Sequence, residues 1–167
     1  MNKLVKDLIW AFSVAMILRF AFGFILGSQY PFVAVMSPSM THDDVATNNH
    51  YIWMAKHGFT TQDIQDLPFH NGFNKGDALI LAGAKDVSIG DVVLYINPNL
   101  EYPIIHRVVN ITEEGYITKG DRNAAPDPWV IKPTWLKGKA LFLIPALGWI
   151  RVLPTELLYR ISNTYPL

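Results

Sequence analysis

A serine and a histidine in this chain are of the residue types that acyl-transfer chemistry requires. Serine is a weak nucleophile until a neighbouring base removes its proton, and histidine is suited to that task near neutral pH. Ser39 follows Ser37 at the end of an apolar run, and Pro38 restricts the backbone between the two hydroxyls. His106 alone among the five histidines lies within a strong strand pattern. Ser39 and His106 are therefore the pair considered for this chemistry, although neither local pattern alone indicates catalysis.

Each feature also has an ordinary structural explanation when it is taken alone. The segment 37–40 is a common kind of strand-ending turn, and a histidine on an apolar strand face is more often a hydrogen-bonded core residue. Asp121 could merely cap a turn, and Asp127 could be solvated. A metal site built from His106 and the two aspartates is a further option. No histidine pair four residues apart and no dense carboxylate cluster supports it.

Short apolar runs separated by glycine and proline must hold these residues in place. Runs at this spacing predict a mainly β fold, either a coiled antiparallel sheet or a small barrel. Alternation along its strand puts His106 on one face with Ile104 and Val108. The predicted strands cover residues 31–36, 77–83, 91–97, 104–111, 116–121 and 135–144.

An apolar segment near the N-terminus, Leu8–Leu26, has about the length of a helix that crosses a bilayer. Arg19 near its middle costs about 2.5–3.5 kcal/mol on an insertion scale, which the apolar side chains around it offset. Lys3 and Lys6 precede the segment, and the next lysine is Lys56. The positive-inside rule therefore predicts a cytoplasmic N-terminus and an extracytoplasmic body. A cleaved signal peptide is the alternative, although no small-x-small motif directly follows the run.

These patterns divide the chain into an anchor, a β domain and a C-terminal tail. The β domain contains a predicted helical insertion, in which Thr60 to Asp63 resembles a helix start and to which we assign no chemistry. The apolar stretch 140–153 is either a core strand and turn or an edge that rests at the membrane interface. The expected boundaries are a cytoplasmic tail at 1–7, a transmembrane anchor at 8–27, an extracytoplasmic β domain at 28–154 with the insertion at about 50–74, and a tail or short helix at 155–167.

Composition narrows the classes of function. Half of the residues are hydrophobic and only 17% are charged, against roughly 25% in soluble domains, so the chain has apolar surface to place in a membrane. The formal net charge is zero, which argues against a nucleic-acid partner. The sequence contains no cysteine, so disulfides, cysteine-based metal sites and a thiol nucleophile are excluded.

The motifs become specific when they are taken in order. A membrane span is followed by Ser-x-Ser-Met, Gly-Asp-Val-Val-Leu-Tyr, Ile-His-Arg-Val and Lys-Gly-Asp-x-Asn, with a second aspartate six residues after the first. This order resembles the type I signal peptidases, and specifically the archaeal and endoplasmic-reticulum branch. In that branch a histidine replaces the lysine base of most bacterial members. The resemblance extends from the anchor to about Gly148.

The resemblance implies a role for each candidate residue. Ser39 matches the nucleophile and His106 matches the general base. Asp121 and Asp127 match two family aspartates, one of which orients the histidine. We favour Asp127 as the orienting residue and keep Asp121 as a supporting catalytic residue.

Two further residues of the serine motif are implied to form the oxyanion and substrate-binding part of the site. Ser37 lies where some relatives supply a side-chain donor to the oxyanion hole, and Met40 matches the methionine that follows the nucleophile. The family fold is an all-β domain with a coiled sheet. The family removes N-terminal signal peptides from exported proteins at the membrane surface, and the implied mechanism needs no cofactor and no metal.

The chain departs from the family pattern at two points. Relatives commonly have a proline shortly after Ser-Met, whereas Met40 is followed here by Thr41, His42 and two aspartates. Arg122 stands where the family has an amide in its Gly-Asp-Asn-Asn motif. The first departure affects the turn that presents Ser39, and the second affects the neighbour of Asp121.

The expected partners are preprotein signal peptides and the lipid bilayer, at the cell membrane, with further membrane subunits left open. The rival class is a non-catalytic, membrane-tethered β module or a subunit of a processing complex, which Arg19 within the span favours. Self-cleaving repressor proteases have related sheets, but they require a DNA-binding domain and a lysine base. This chain has a membrane span and His106 in those places.

Overall fold

The computed structural model describes residues 2–42, 49–100 and 102–162. Within these ranges a long N-terminal helix leads into one antiparallel sheet, and shorter helices pack beside that sheet. A 3₁₀ turn at Pro133–Trp135 precedes the last strand. The elements in chain order are α1 (Lys3–Leu26), β1 (Phe32–Ala34), α2 (Asn49–Lys56), α3 (Thr61–Gln65), β2 (Ala78–Ala82), β3 (Val92–Tyr95), β4 (Ile104–Thr112), β5 (Gly115–Lys119), β6 (Leu136–Ile144) and α4 (Trp149–Ser162).

The six strands form one sheet in the order β1-β2-β6-β3-β4-β5, and every pairing is antiparallel. The predicted antiparallel sheet is confirmed, and each predicted strand overlaps an observed one. The sheet is open rather than closed into a barrel, because β1 and β5 lie at opposite edges. Irregular pairing between Ile80 and Leu81 and between Val108 and Asn110 bends the strands locally.

The apolar N-terminal segment is a 24-residue helix, which at 1.5 Å per residue is about 36 Å long and can cross a bilayer. None of its residues is buried, and it is the one span candidate among the described residues. The helix begins at Lys3, before the predicted Leu8, because the Asn2 side chain accepts from the Leu4 N–H. Arg19 donates to the Gln29 carbonyl over 3.4 Å, so its guanidinium points towards the sheet end of the helix.

The junction between α1 and the sheet is direct. Gly27 ends the helix in the left-handed conformation, with a φ of 60° that favours glycine. The Gly83 N–H then donates to the Leu26 carbonyl over 2.8 Å, which attaches the end of the helix to the end of β2. The rings of Phe22 and Phe32 meet edge to face with centroids 5.3 Å apart. The helix end and the sheet edge are therefore held together by polar and apolar contacts.

The helical insertion covers the face of β4 opposite the one predicted to carry His106. Alternation predicted one buried face carrying His106 and Val108, and both residues are buried. Arg107 is also buried, and Val109 packs with Met54 of α2 in an apolar cluster. The middle of β4 is thus enclosed on both faces. A local alternation pattern could not show this, because the covering residues lie some 50 positions earlier in the chain.

The C-terminal helix α4 begins at Trp149, so the predicted boundary at Thr155 is wrong by six residues. Pro154 lies inside the helix, where it removes one backbone donor without ending it. Contacts distant in sequence fix the start instead. A Cβ added to Gly76 would lie 2.1 Å from the Trp149 indole nitrogen, and Val152 is fully buried. The first half of the apolar stretch 140–153 therefore completes β6, and the second half is helical.

Candidate active site

Ser39 lies in a tight turn after β1, which we call the serine turn (residues 37–41). Two backbone hydrogen bonds attach this turn to other parts of the chain. The Phe73 N–H donates to the Met40 carbonyl over 3.0 Å, and the Arg122 N–H donates to the Ser39 carbonyl over 2.8 Å. The serine turn is therefore held between the end of the insertion and the loop that follows β5.

His106 lies on β4 opposite Val93 of β3, and its side chain is only 9% exposed. Its Nε2 lies 3.1 Å from the Ser39 Oγ. Its Nδ1 lies 2.8 Å from Oδ2 and 3.0 Å from Oδ1 of Asp127. The structure thus brings Ser39, His106 and Asp127, which are far apart in sequence, into one hydrogen-bonded chain.

The charge on Asp127 determines how protons are arranged along this chain. Burial raises the pKa of Asp127, but hydrogen bonds from His106, Thr118 and Tyr95 outweigh burial, and the net pKa lies below its usual value. An ionised carboxylate only accepts, so Nδ1 of His106 carries the proton. Nε2 of the neutral imidazole is then an acceptor for the Ser39 hydroxyl. This is the tautomer that a general base needs.

Two hydroxyl groups hold the Asp127 carboxylate in place. The Thr118 Oγ1 donates to Oδ2 over 2.6 Å, and the Tyr95 hydroxyl donates to the same oxygen over 2.9 Å. The Asp127 N–H also donates to the Thr118 carbonyl over 2.8 Å. The carboxylate is therefore positioned by β3 and β5, on either side of the strand that carries His106.

The other two residues of the serine motif have different surroundings. Ser37 is exposed, and its Oγ lies 3.2 Å from the Ser39 Oγ. Because the Ser39 proton is directed to His106, the Ser37 hydroxyl is the donor in that pair. Met40 is 1% exposed, and its sulfur accepts from the Asp121 N–H over 3.4 Å. The Met40 side chain thus packs beneath the serine turn, which leaves it no access to a substrate.

The site leaves no room for a side chain at Gly120. A Cβ added there would lie 2.8 Å from the Asn123 side-chain nitrogen and 2.9 Å from both the His106 Nε2 and the Ser39 carbonyl oxygen. All three distances are shorter than ordinary van der Waals contact. Only glycine at this position allows the loop after β5 to lie so close to both partners.

Asp121 does not contact His106 or Ser39; it forms a separate buried network with Arg107. The Arg107 guanidinium donates from Nε to Oδ1 over 2.9 Å and from Nη2 to Oδ2 over 2.7 Å. Its other N–H groups donate to the carbonyls of Pro68, Phe69 and Gly90. All five guanidinium donors therefore have acceptors, as a fully buried arginine requires.

Two histidines complete the network around Asp121. His42 Nε2 lies 3.0 Å from Oδ2, and His50 Nδ1 lies 3.2 Å from Oδ1. Burial lowers the pKa of His50 despite its hydrogen bond to the carboxylate. The Arg107 charge, with these histidines, holds the pKa of Asp121 well below its usual value against the opposing effect of burial. His42 belongs to the segment just after the serine turn and His50 to α2, so the network joins the insertion to the site.

Three side chains of this network have the spacing of metal ligands, those of His42, His50 and Asp121. Their ligand atoms lie within 4.8 Å of one another. Arg107 already supplies a positive charge to both carboxylate oxygens. A divalent cation there would face that guanidinium, so we interpret the cluster as a hydrogen-bonded network. The ligand set considered from sequence, His106 with Asp121 and Asp127, is divided between two networks.

Lys119 supports the turn that contains Gly120. It is 2% exposed, and its Nζ donates to the carbonyls of Gly120 and Asp121 over 3.0 and 3.1 Å. Burial lowers its pKa to about 8, although the nearby Asp121 carboxylate opposes that shift. Burying a charged lysine carries a desolvation penalty. Lys119 therefore fixes the turn but lowers the free energy of unfolding.

Sequence reasoning missed the network around Asp121. The strand pattern that singles out His106 gives no role to His42 or His50, and Arg107 enters only as part of the Ile-His-Arg-Val motif. The available signal was His42 directly beside the serine motif, and it becomes meaningful only when the fold brings the insertion to β4. Asp43 and Asp44, which contribute to one departure from the family pattern, lie outside the described residues.

The sheet, the membrane-length helix and the hydrogen-bonded Ser–His–Asp chain together have the geometry of a membrane-anchored acyl-transfer site. No family model matches the chain. It is 27% identical over 166 residues to the signal peptidase complex catalytic subunit SEC11 of Scheffersomyces stipitis, a match that covers 92% of this chain and 82% of that protein.

Further relatives carry the same description. The chain is 28% identical over 108 residues to the human signal peptidase complex catalytic subunit SEC11C, and it spans about half of that protein, 52%. It is 32% identical over 101 residues to SEC11 of Debaryomyces hansenii, covering 60% of that protein. The chain is therefore similar to proteins described as catalytic subunits of signal peptidase complexes, which agrees with the resemblance drawn from the order of its motifs.

Proposed function

We propose that this chain is a membrane-bound serine endopeptidase that removes N-terminal signal peptides from exported preproteins. The observation that carries the proposal is the 3.1 Å contact between the Ser39 Oγ and the His106 Nε2, with Asp127 hydrogen-bonded behind the imidazole. The substrate class follows from the relatives, which are named as catalytic subunits of signal peptidase complexes.

The proposed reaction is acyl transfer in two steps. Neutral His106 removes the Ser39 proton while Oγ attacks the scissile carbonyl, and the resulting imidazolium donates its proton to the leaving amine. Water then attacks the acyl-enzyme with His106 again acting as base, which releases the carboxylate product and regenerates the serine. Asp127 stabilises the imidazolium that forms in both steps.

The negative oxygen of the tetrahedral intermediate requires donors close to the nucleophile. The Ser39 N–H and the Ser37 hydroxyl are the proposed donors, since the Ser37 Oγ already lies 3.2 Å from the attacking oxygen. Loss of one such donor costs about 10²–10³-fold in rate in a well-studied protease. Met40 and Asp121 act by shaping the turn and the loop that hold Ser39.

The substrate is proposed to bind as an added strand along β1. This strand is at the edge of the sheet, so within the described residues its outer backbone groups have no strand partner. An extended peptide can pair with such an edge and present alternate side chains to the protein. β1 ends three residues before Ser37, which would bring the scissile bond to the serine turn.

The proposed location is the cell membrane, with residues 8–27 as the anchor and the β domain from residue 28 outside the cytoplasm. Exposed apolar side chains outside α1 support contact with the same bilayer. Phe142 on β6 is 62% exposed, and α4 exposes Ile150 and Leu158. Because the relatives are named as subunits of complexes, association with further membrane subunits belongs to the proposal.

Preprotein cleavage by the detergent-solubilised chain tests the proposal. Ser39→Ala and His106→Ala should fold and lose cleavage, whereas the matched variants Ser88→Ala and His57→Ala, at exposed positions, should retain it. Cleavage by wild type should also decline as the pH falls, because the imidazole becomes charged. Normal processing by Ser39→Ala would refute the nucleophile assignment.

The rival, a non-catalytic tethered module, makes a separate prediction. A serine-reactive acylating probe should label the proposed enzyme, and the label should map to Ser39 and depend on His106. A folded wild-type chain that neither cleaves preproteins nor takes the label would favour the module.

A further inference from the structure

A buried tyrosine on β3 makes a contact with the site that the proposed mechanism does not use. The Tyr95 side chain is fully buried in the apolar cluster around Val93 and Val108, yet its hydroxyl donates to the Asp127 Oδ2 over 2.9 Å. The same hydroxyl oxygen accepts from the Trp129 indole N–H over 3.3 Å. A line of hydrogen bonds therefore runs from Trp129 through Tyr95 and Asp127 to His106.

We infer that Tyr95, held by Trp129, is a positioning residue that sets both the orientation of Asp127 and the strength of its hydrogen bond to His106. The inference rests on the proposed function for its catalytic meaning. Tyr95 acts through Asp127 and does not contact the reacting atoms, which distinguishes it from Ser39 and His106.

The direction of each hydrogen bond supports this role. The indole N–H can only donate, so the Tyr95 oxygen is the acceptor and its own proton is directed to Asp127. Burial and the Asp127 charge raise the pKa of Tyr95 far above its usual value, so the hydroxyl remains a donor at any pH at which the site works. The tyrosine thus supplies a permanent donor rather than a titrating group.

Asp127 divides its negative charge between several partners. Oδ2 accepts from Tyr95 and Thr118 and also lies 2.8 Å from the His106 Nδ1, while the buried Lys119 adds a nearby positive charge. Removing the Tyr95 proton leaves more of the charge available to the imidazole. The protonated imidazole is then favoured, so the free base should be lost at a higher pH. The carboxylate should also be less well oriented.

The substitution Tyr95→Phe keeps the ring in the core and removes only the hydroxyl. We expect kcat for peptide cleavage to fall about tenfold, the lower range for a hydrogen bond to a charged group, with KM unchanged. The acid side of the pH–activity profile should move to higher pH. Tyr116→Phe is the matched control, because this tyrosine packs in the same cluster and, within the described part of the chain, makes no hydrogen bond to Asp127.

Trp129 provides an independent test of the line of hydrogen bonds. Trp129→Phe should shift the profile in the same direction by a smaller amount, because it acts only through the Tyr95 oxygen. In the Tyr95→Phe background it should shift the profile no further. Additive shifts from the two substitutions would contradict the proposed order of hydrogen bonds, in which Trp129 acts through Tyr95.

A spectroscopic measurement separates this inference from the proposed function. In the full chain labelled with ¹⁵N-histidine in detergent, the Nδ1–H signal of His106, assigned by its loss in His106→Ala, should move downfield in Tyr95→Phe and stay unchanged in Tyr116→Phe. An unmoved signal in a folded Tyr95→Phe variant would overturn the inference, whether or not the preparation cleaves peptides. A moved signal in a chain without proteolysis would retain the positioning role and reject the proposed function.

Discussion

Adding one methyl group at Gly120 should disable the site without removing any group that takes part in the reaction. The Gly120→Ala Cβ would lie 2.9 Å from the His106 Nε2 and 2.9 Å from the Ser39 carbonyl oxygen. Ordinary contact begins at about 3.4 Å, so the two partners must separate from the methyl by about 0.5 Å. The imidazole is the easier to displace, because the Ser39 carbonyl is backbone and accepts from Arg122.

The expected loss follows from that displacement. A shift of about 0.5 Å away from Ser39 would lengthen the 3.1 Å bond between His106 and Ser39 beyond the range of a useful hydrogen bond. A misplacement of about 1 Å can cost about 10²-fold, so we expect kcat for preprotein cleavage to fall roughly tenfold. Overpacking should also lower the free energy of unfolding by about 1–3 kcal/mol.

Gly138→Ala is the control that separates strain from catalysis. Its Cβ would lie 2.9 Å from the Ala82 carbonyl oxygen and 3.0 Å from the Leu81 Cβ, a similar crowding on β6 of the same sheet. This variant should lose stability and keep its kcat. Both variants are assayed for cleavage in detergent at a temperature where circular dichroism reports them folded. Equal kcat values for folded Gly120→Ala and wild type would refute the reasoning.

Three further predictions concern the charged groups. Asp127→Asn should fold but lose about 10³–10⁴-fold in kcat, because an amide no longer selects the His106 tautomer that accepts the serine proton; cleavage within tenfold of wild type would contradict the role. Arg107→Met should lower the free energy of unfolding in urea by about 3–5 kcal/mol, because Asp121 is left buried without its ion partner, and an unchanged urea midpoint would argue against the network. The pKa of Asp121 is lower in the folded protein than in the unfolded chain, where it is about 3.9. Ionised Asp121 therefore stabilises the fold fully above that pH, and the stabilisation is lost as the pH falls towards the folded-state pKa. Wild-type stability should therefore decline below about pH 4, and a titration of Asp121→Asn that declines equally would disprove this origin.

The features predicted well from the sequence are those encoded locally. The sequence correctly predicted the strand runs, the apolar span and the helix start at Thr60, because each depends on neighbouring residues. At Thr60 the side chain forms a capping box with Asp63. The 3.1 Å pairing of Ser39 with His106 could be anticipated because an ordered set of motifs resembled a known family. Neither residue was distinguishable on local pattern alone.

The features that sequence reasoning missed depend on contacts between distant segments. His42 and Asp121 are 79 residues apart, and only the packing of the insertion against β4 brings them together. Tyr95 looked like an ordinary core residue of a buried strand, since the destination of its hydroxyl is set by the loop after β5. The boundary after residue 154 was predicted wrongly, because the packing of Trp149 against Gly76 leaves no local pattern in the sequence.

The hydrogen bond from Gly83 to Leu26 has a consequence for how far substrates can reach. With the last turn of the span fastened to β2, and β2 paired with β1, the serine turn cannot rise or sink independently of the membrane helix. With α1 in a bilayer, as the proposed function requires, the depth of this helix would set the height of Ser39 above the lipid surface. A substrate whose own apolar segment ends at the same surface would bring to Ser39 the bond that lies at that height, so the number of residues beyond the lipid would decide which bond is cut.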